Sequence, residues 1–293
     1  MTAAADRRRA NMRKQRIISQ TIMYAFLIII VAFSVFPLFY TLMASFKTNT
    51  EIMVNPGKII PESINLDNFK AVWLAKNFNV GRLFLNSVIY TFSQVAINLA
   101  SSVILGYVFA TGRFRFKKLI FTCFTGLMFI KSGGIGIYAT FQVLDFLHIP
   151  QNLYTLIGMS FFGVPIVNIF LVKSYINSIP YGIAEAAKID GCGYSEILYK
   201  VYIPLLKPII ATIVILSFQS YWNDYLTPTY YTLTRPEQRT LMVGLMALKN
   251  TEAATNWNLM LAGAVIALIP VLLIYALCSK YFVQGIAAGA VKG

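Results

Sequence analysis

Three groups of residues carry side chains that could do chemistry. Tyr221-Trp222-Asn223-Asp224-Tyr225 sets flat aromatics beside an amide and a carboxylate. Such a set suits a sugar ring, whose C–H face stacks on an aromatic while its hydroxyls bond the polar groups. The same composition suits an aromatic belt at the depth of lipid headgroups. Lys131 stands in Phe129-Ile-Lys-Ser-Gly-Gly-Ile-Gly136, an ammonium inside an apolar run. It reads either as a pathway or hinge group facing protein or water, or as a lysine snorkelling to a nearby interface. The third group is a polar stretch, residues 183–204, lying between two long apolar segments. Its small side chains would let a foreign surface approach the backbone closely, as a plug in another protein's groove requires. An amphipathic helix lying on a membrane is the other reading.

Catalysis finds little support. The one histidine, His148, falls in a turn, so a Ser/His/Asp triad has no base to build on. No G-x-x-x-x-G-K-[ST] phosphate loop is present; the pair Gly57-Lys58 lacks the rest of it. Cys123, Cys192 and Cys278 are odd in number and scattered, which argues against a disulfide framework, and no metal-ligand spacing is visible.

The elements that must position these groups are membrane spans. Of 293 residues, 57% are hydrophobic and only 12% charged, about half the usual share for a soluble domain. Apolar runs predict spans at roughly 18–45, 83–111, 118–142, 152–177, 205–230 and 257–282. Hydrocarbon leaves backbone groups no partner but one another, so the spans should be helices. Pro37, Gly106, Pro165 and Pro270 inside them suggest kinks or close packing. The first run is too long for a cleavable signal peptide and is expected to remain as an anchor.

The net charge of +14 at first suggests nucleic acid, but the cations sit at the ends of spans rather than on one patch. Arg7, Arg8, Arg9, Arg13, Lys14 and Arg16 precede the first span; Arg113, Arg115, Lys117 and Lys118 follow the second. Lys173, Lys188, Lys200 and Lys207 flank the polar stretch, and Lys280 and Lys292 end the chain. These sixteen outweigh the eight on the opposite side, so the positive-inside rule puts both termini and the polar stretch in the cytoplasm. The opposite connections, 46–82 and about 231–256, are expected to fold outside, with a short helix around Phe69, Val72 and Trp73. The basic tail 1–17 and the small-residue tail 284–293 are expected to be loosely ordered.

Locally the polar stretch reads as helix, turn, helix. Ile183, Ala186, Ala187 and Ile189 recur at helical spacing, with Glu185 and Lys188 three apart and able to pair. Gly191 follows Asp190 where glycine can take a left-handed cap. Tyr194, Ile197, Leu198 and Val201 restart the period, and Pro204 and Pro208 fit first turns of further helices.

Glu185-Ala186-Ala187, then Asp190-Gly191, then Ile203-Pro204, resembles the EAA loop (178–204) of permease subunits of ABC importers. The ending Tyr281-Phe-Val-Gln-Gly-Ile-Ala-Ala-Gly-Ala-Val-Lys-Gly293 looks like the tail of the smaller permease of maltose-type carbohydrate importers. The resemblance implies an all-α protein with six transmembrane helices over 18–283, in the type I importer permease fold, in a bacterial inner membrane. It implies that Glu185, Ala186, Ala187, Asp190, Gly191, Ile203 and Pro204 dock on an ATPase. It further implies a second permease, two ATP-binding subunits that hold ATP and Mg, and an extracytoplasmic solute-binding protein that delivers carbohydrate. The C-terminal tail would reach between the ATPases. The broad cargo class includes oligosaccharides and fragments of acidic polysaccharides such as alginate. The competing reading is an ion-coupled secondary transporter, which needs ionisable groups inside the membrane; the span interiors offer little beyond Asp224 and Lys131.

Overall fold

The structure is a computed structural model that describes residues 2–74, 79–129, 133–249 and 256–290. Its helices, in chain order, are α1 (Thr2–Ala44), α2 (Asn49–Val54), α3 (Asp67–Leu74), α4 (Val80–Thr111), α5 (Lys117–Leu127), α6 (Gly133–Phe146), α7 (Leu153–Met159), α8 (Ile166–Ile176) and α9 (Tyr181–Ile189). There follow α10 (Tyr194–Glu196), a π-helical turn (Ile197–Tyr202), α11 (Ile203–Leu205), α12 (Lys207–Trp222), α13 (Leu226–Tyr231), α14 (Leu241–Lys249) and α15 (Trp257–Ala290). No strand occurs among the described residues.

Three single helices are long and apolar enough to cross a membrane: Arg16–Ala44, Val80–Thr111 and Trp257–Lys280. Two further spans are bent pairs. Leu153–Phe162 meets Ile166–Ile176 at 43°, and Tyr194–Leu205 meets Lys207–Trp222 at 77°. Each bend has a chemical cause. Gly163-Val164-Pro165 interrupts the first, and Pro204 and Pro208 both lack the N–H that the second would need through Leu206. The expected span 118–142 is not among these: α5 and α6 fall along it, and residues 130–132, with Lys131, lie outside the described residues.

Three expectations change. The span read as 205–230 stops at Trp222, because Asn223 and Asp224 leave the helix and the Asp224 carboxylate accepts the Thr227 N–H (3.2 Å) to start α13. The tails are helical rather than loose: α1 begins at Thr2 and α15 runs on to Ala290, as alanine-rich ends allow. The 231–256 connection is more than a loop. Its α14 packs on α4, with Leu241 N–H donating to Ser87 Oγ (2.7 Å) and the Asn86 amide donating to Glu237 O and Arg239 O (2.9 Å each).

The chain divides into two compact units. The first, residues 1–71 and 256–265, is tied by Asn68. Its buried amide donates to Ser45 O and Lys47 O (2.8 Å each), and its Oδ1 accepts from Asn258 Nδ2 (2.8 Å). The Lys47 ammonium is buried and donates to Lys58 O. In contrast, the α1 side chains from Arg16 to Phe39 are exposed. The second unit, residues 72–255 and 266–293, is built on α4, which packs on α8 and α12. Gly106 sets the closest approach: a Cβ there would lie 2.6 Å from Val172 Cβ on α8. Small residues at helix crossings are how membrane helices gain close packing.

Candidate functional site

The 183–204 stretch folds around one apolar cluster. Ala184 and Ala187 on α9 are buried with Ile197, Leu198 and Tyr202 of the π turn, Leu206, Tyr107 and Val103 of α4, and Val172 and Ile176 of α8. Alanine suits this face because its small side chain lets α9 lie close to the bundle. The opposite face is left outward. Glu185, Ala186, Asp190 and Gly191 are exposed, and Ile189 is 86% exposed.

The turn after α9 is tightly specified. Gly191 sits at φ +85°, the left-handed region that other residues enter at a cost. Gly191 N–H donates to Lys188 O and Cys192 N–H to Ala187 O, both at 3.0 Å, the paired bonds of a Schellman cap. Gly193 N–H then donates to the Glu196 carboxylate (2.9 Å), whose other oxygen accepts from Lys200 (2.8 Å). The expected Glu185–Lys188 pair does not form; Lys188 Nζ lies over the Tyr181 ring at 5.8 Å instead. Ile203 is half-buried against the cluster, and Pro204 is exposed in the first turn of α11.

Tyrosines pin this loop to α4. Tyr107 OH donates to Tyr194 O (2.9 Å), Tyr194 OH bonds Thr111 Oγ1 (3.0 Å), and the Tyr107 ring lies 4.6 Å from Tyr194 and 5.3 Å from Tyr202. Tyr107 was missed in the sequence because one more aromatic in an apolar span carries no mark of its own.

The aromatic group 221–225 is split by the fold. Trp222 is buried: it stacks on Phe218 (5.5 Å), meets Phe84 edge-on (5.7 Å) and donates Nε1–H to Ala267 O (3.0 Å). It is a packing residue in this chain and lines no described cavity. Asn223 is exposed at the end of α12, and its backbone N–H donates to Gln219 O (3.2 Å). Tyr221 and Asp224 do line a cavity, of about 280 Å³, with Tyr90, Gln94, Asn98 and Ser160. A neighbouring cavity of about 380 Å³ shares Leu156, Ser160 and Thr227 and reaches Thr140 of α6.

This cavity holds a polar ladder that sequence reading overlooked. Asn98 Nδ2 donates to Tyr221 OH (3.1 Å), and Asn98 Oδ1 accepts from Asn168 Nδ2 (2.7 Å). Ser160 Oγ donates to Gln94 Oε1 (2.5 Å), and Tyr90 OH to Asp224 Oδ2 (3.4 Å). The available signal was the four-residue spacing of Tyr90, Gln94, Asn98 and Ser102, a polar stripe on one face of an apolar helix. Polar groups inside a membrane helix face protein or water, not lipid. Such a stripe offers hydroxyls and amides that donate and accept, without net charge apart from Asp224.

His148 is exposed, with Nδ1 at 3.1 Å from Phe146 O. Cys123, Cys192 and Cys278 are free, and no metal-binding cluster of His, Cys, Asp or Glu occurs among the described residues.

Known proteins resemble this chain over most of its length. The arabinooligosaccharides transport system permease protein of Halalkalibacterium halodurans is 31% identical over 275 residues, 93% of this chain and 95% of that one. The galactooligosaccharides transport system permease protein of Bacillus subtilis is 30% identical over 285 residues, 97% of this chain and 99% of that one. Among solved structures, a chain of a bacterial ABC transporter involved in the import of the acidic polysaccharide alginate superimposes with a TM-score of 0.78 at 25% identity, covering 90% of this chain and 96% of that one. Residues 10–288 match the family described as binding-protein-dependent transport system inner membrane component, and the chain belongs to that family of ABC transporter permeases.

Proposed function

We propose that this chain is one of two different permease subunits of an ATP-driven carbohydrate importer, with oligosaccharides as its cargo class. Relatives named for arabinooligosaccharides and galactooligosaccharides support the class, and the alginate importer extends it to acidic chains. Family membership also displaces the ion-coupled alternative. The partners are a second permease, two ATP-binding subunits and an extracytoplasmic solute-binding protein. The membrane is the bacterial cytoplasmic one, with both termini and the 178–204 loop inside. The domain plan is a short basic tail (1–17), a permease body (18–283) and a terminal tail (284–293).

The observation that carries the reading is the two-faced α9. Its alanines are locked to the bundle, while Glu185, Ala186, Ile189, Asp190 and Gly191 face away. Docked in an ATPase groove, α9 would pass a displacement through the π turn and the 77° bend into α12. ATP binding then biases one of two states of the bundle, moving the cavity beside Tyr221 and Asn98 from one side of the membrane to the other. That cavity is at the lower limit of about 300 Å³ for small-molecule sites, so the companion permease supplies the rest of the pathway.

Gly191→Trp tests the docking. A Cβ at Gly191 meets nothing within 4 Å in this chain, so a side chain there starts in open space on the exposed side of the loop. The backbone strain costs about 1–2 kcal/mol. In reconstituted complexes with all partner subunits, transport should be lost while ATP hydrolysis persists. Complexes that assemble and transport normally with this change would overturn the reading. Sidedness is checked separately: Ile189→Cys in an otherwise cysteine-free chain should react with an impermeant maleimide only in inside-out vesicles.

A further inference from the structure

Between the ends of α4 and α8 and the inward side of α9 lies a cavity of about 650 Å³, larger than either cavity beside Tyr221. Three cations line it: Arg113 after α4, Lys117 at the start of α5 and Lys188 on α9. No carboxylate lines it, and among the described residues none of the three cations has a carboxylate within 4.0 Å. The carboxylates nearest in sequence are engaged or turned away: Glu196 holds Lys200, and Glu185 and Asp190 are on the exposed side of α9. Hydroxyl and amide donors complete the wall, from Tyr181, Tyr194 and Asn177.

Two negative poles must be set against these charges. The cavity is lined by the C-terminal ends of α4 and α8, each equivalent to about half a negative charge. Lys117 answers the first directly, donating to Ala110 O (3.2 Å) and Gly112 O (2.8 Å). The sum still leaves about two positive charges along the cavity wall, from Arg113 and Lys188, both of which are also open to solvent. Guanidinium and ammonium together with tyrosine hydroxyls are the groups that bind phosphate oxygens.

We propose that this cavity binds a phosphate-bearing anion, either the headgroup of an acidic phospholipid or a soluble phosphate compound. With the 178–204 loop inside, the cavity opens at the leaflet that carries acidic lipids, which attract basic groups next to the membrane. An occupant would bridge Arg113 at the end of α4 to Lys188 on the docking helix. It would therefore tie α9 to the bundle by charge as well as by the alanine contacts. The binding claim does not depend on sidedness or on α9 docking an ATPase, and its test reads binding alone.

The experiment uses the full importer complex in neutral phosphatidylcholine nanodiscs. Native mass spectrometry after adding phosphatidylglycerol measures lipid retention, and a thermal shift with inorganic phosphate measures the soluble source. Retention of phosphatidylglycerol identifies the lipid, and a shift with phosphate alone identifies the soluble anion. Neither response overturns the proposal. Arg113→Gln with Lys188→Gln should weaken the positive response about tenfold. Lys118→Gln, at a basic residue beside the cavity that does not line it, should leave the response unchanged. An equal loss in both would show unspecific surface charge and overturn the site. Should the double variant fail to assemble, photo-crosslinking of a diazirine-bearing phosphatidylglycerol to wild type decides. Label in peptides 107–117 and 176–202 supports the site; label elsewhere only refutes it.

Discussion

The two ends of the second unit are built on opposite principles. At the end that carries α9, the proposed docking end, Tyr107, Val172, Ile197, Tyr202 and Leu206 form an apolar cluster, and the turns above it are closed by backbone bonds. At the cavity end, Asn98, Asn168, Gln94, Ser160 and Tyr221 meet through side-chain hydrogen bonds, several of them half-exposed to the cavity. The difference is one of mechanical character. A close-packed apolar cluster does not deform gradually, so it moves as a body. Amides and hydroxyls can exchange one partner for another at small cost, provided each keeps one. The first suits transmission of a displacement; the second suits a surface that a hydroxylated ligand touches in passing. Both are hung on α4, whose Gly106 packs against Val172 within the apolar cluster.

The comparison is broken most severely at that glycine. Gly106→Leu drives side-chain atoms into Val172 and the Ile169 carbonyl, the latter 3.3 Å from where the new Cβ would stand. Overpacking of this kind costs about 3 kcal/mol or more. The expected result is a complex that no longer survives purification, read by size-exclusion chromatography. Normal assembly would mean that α4 and α8 are free to separate and that the docking end is not rigid.

A smaller and more selective effect is expected at the ladder. Asn168→Leu leaves Asn98 Oδ1 without its 2.7 Å donor, at a cost of about 1–3 kcal/mol where no water replaces it. Transport should fall about tenfold with assembly and basal ATP hydrolysis retained. If ATP hydrolysis falls in step with transport, the two ends are not separable in the way described. The smallest effect is reserved for Trp222→Phe. It removes the Nε1–H bond to Ala267 O and part of the buried ring that packs on Phe218 and Phe84, together worth about 2 kcal/mol, and should lower thermal stability without changing cargo preference. A changed preference among sugars would return Trp222 to the pathway.

Much of the docking end was legible because its chemistry is local. Gly191 follows an alanine-rich helix at the one place where only glycine enters a left-handed turn cheaply, and the structure puts it at φ +85°. Pro204 and Pro208 occupy first helical turns, as residues without an N–H must. The two prolines mark where the helix breaks, but not the 77° at which it turns, which depends on how the pieces pack. The cavity end was hidden for another reason. Asn98 and Asn168 are 70 residues apart, and only the crossing of α4 with α8 brings them to 2.7 Å. Trp222 misled because an aromatic beside Asn223 and Asp224 looks the same in sequence whether it points to a cavity or to Phe218.

The exposed first span has a consequence of its own. Arg16–Ala44 is 29 residues, about 43 Å at 1.5 Å per residue, against a hydrocarbon thickness of about 30 Å. None of the residues in its most apolar window is buried in this chain, so the helix is held only near its C-terminal end, where Tyr40 OH donates to Pro56 O and Ala44 is buried. The surplus length must be absorbed by leaning or by local swelling of the bilayer. A bilayer of longer acyl chains should therefore let this helix stand more upright, and one of shorter chains should make it lean further.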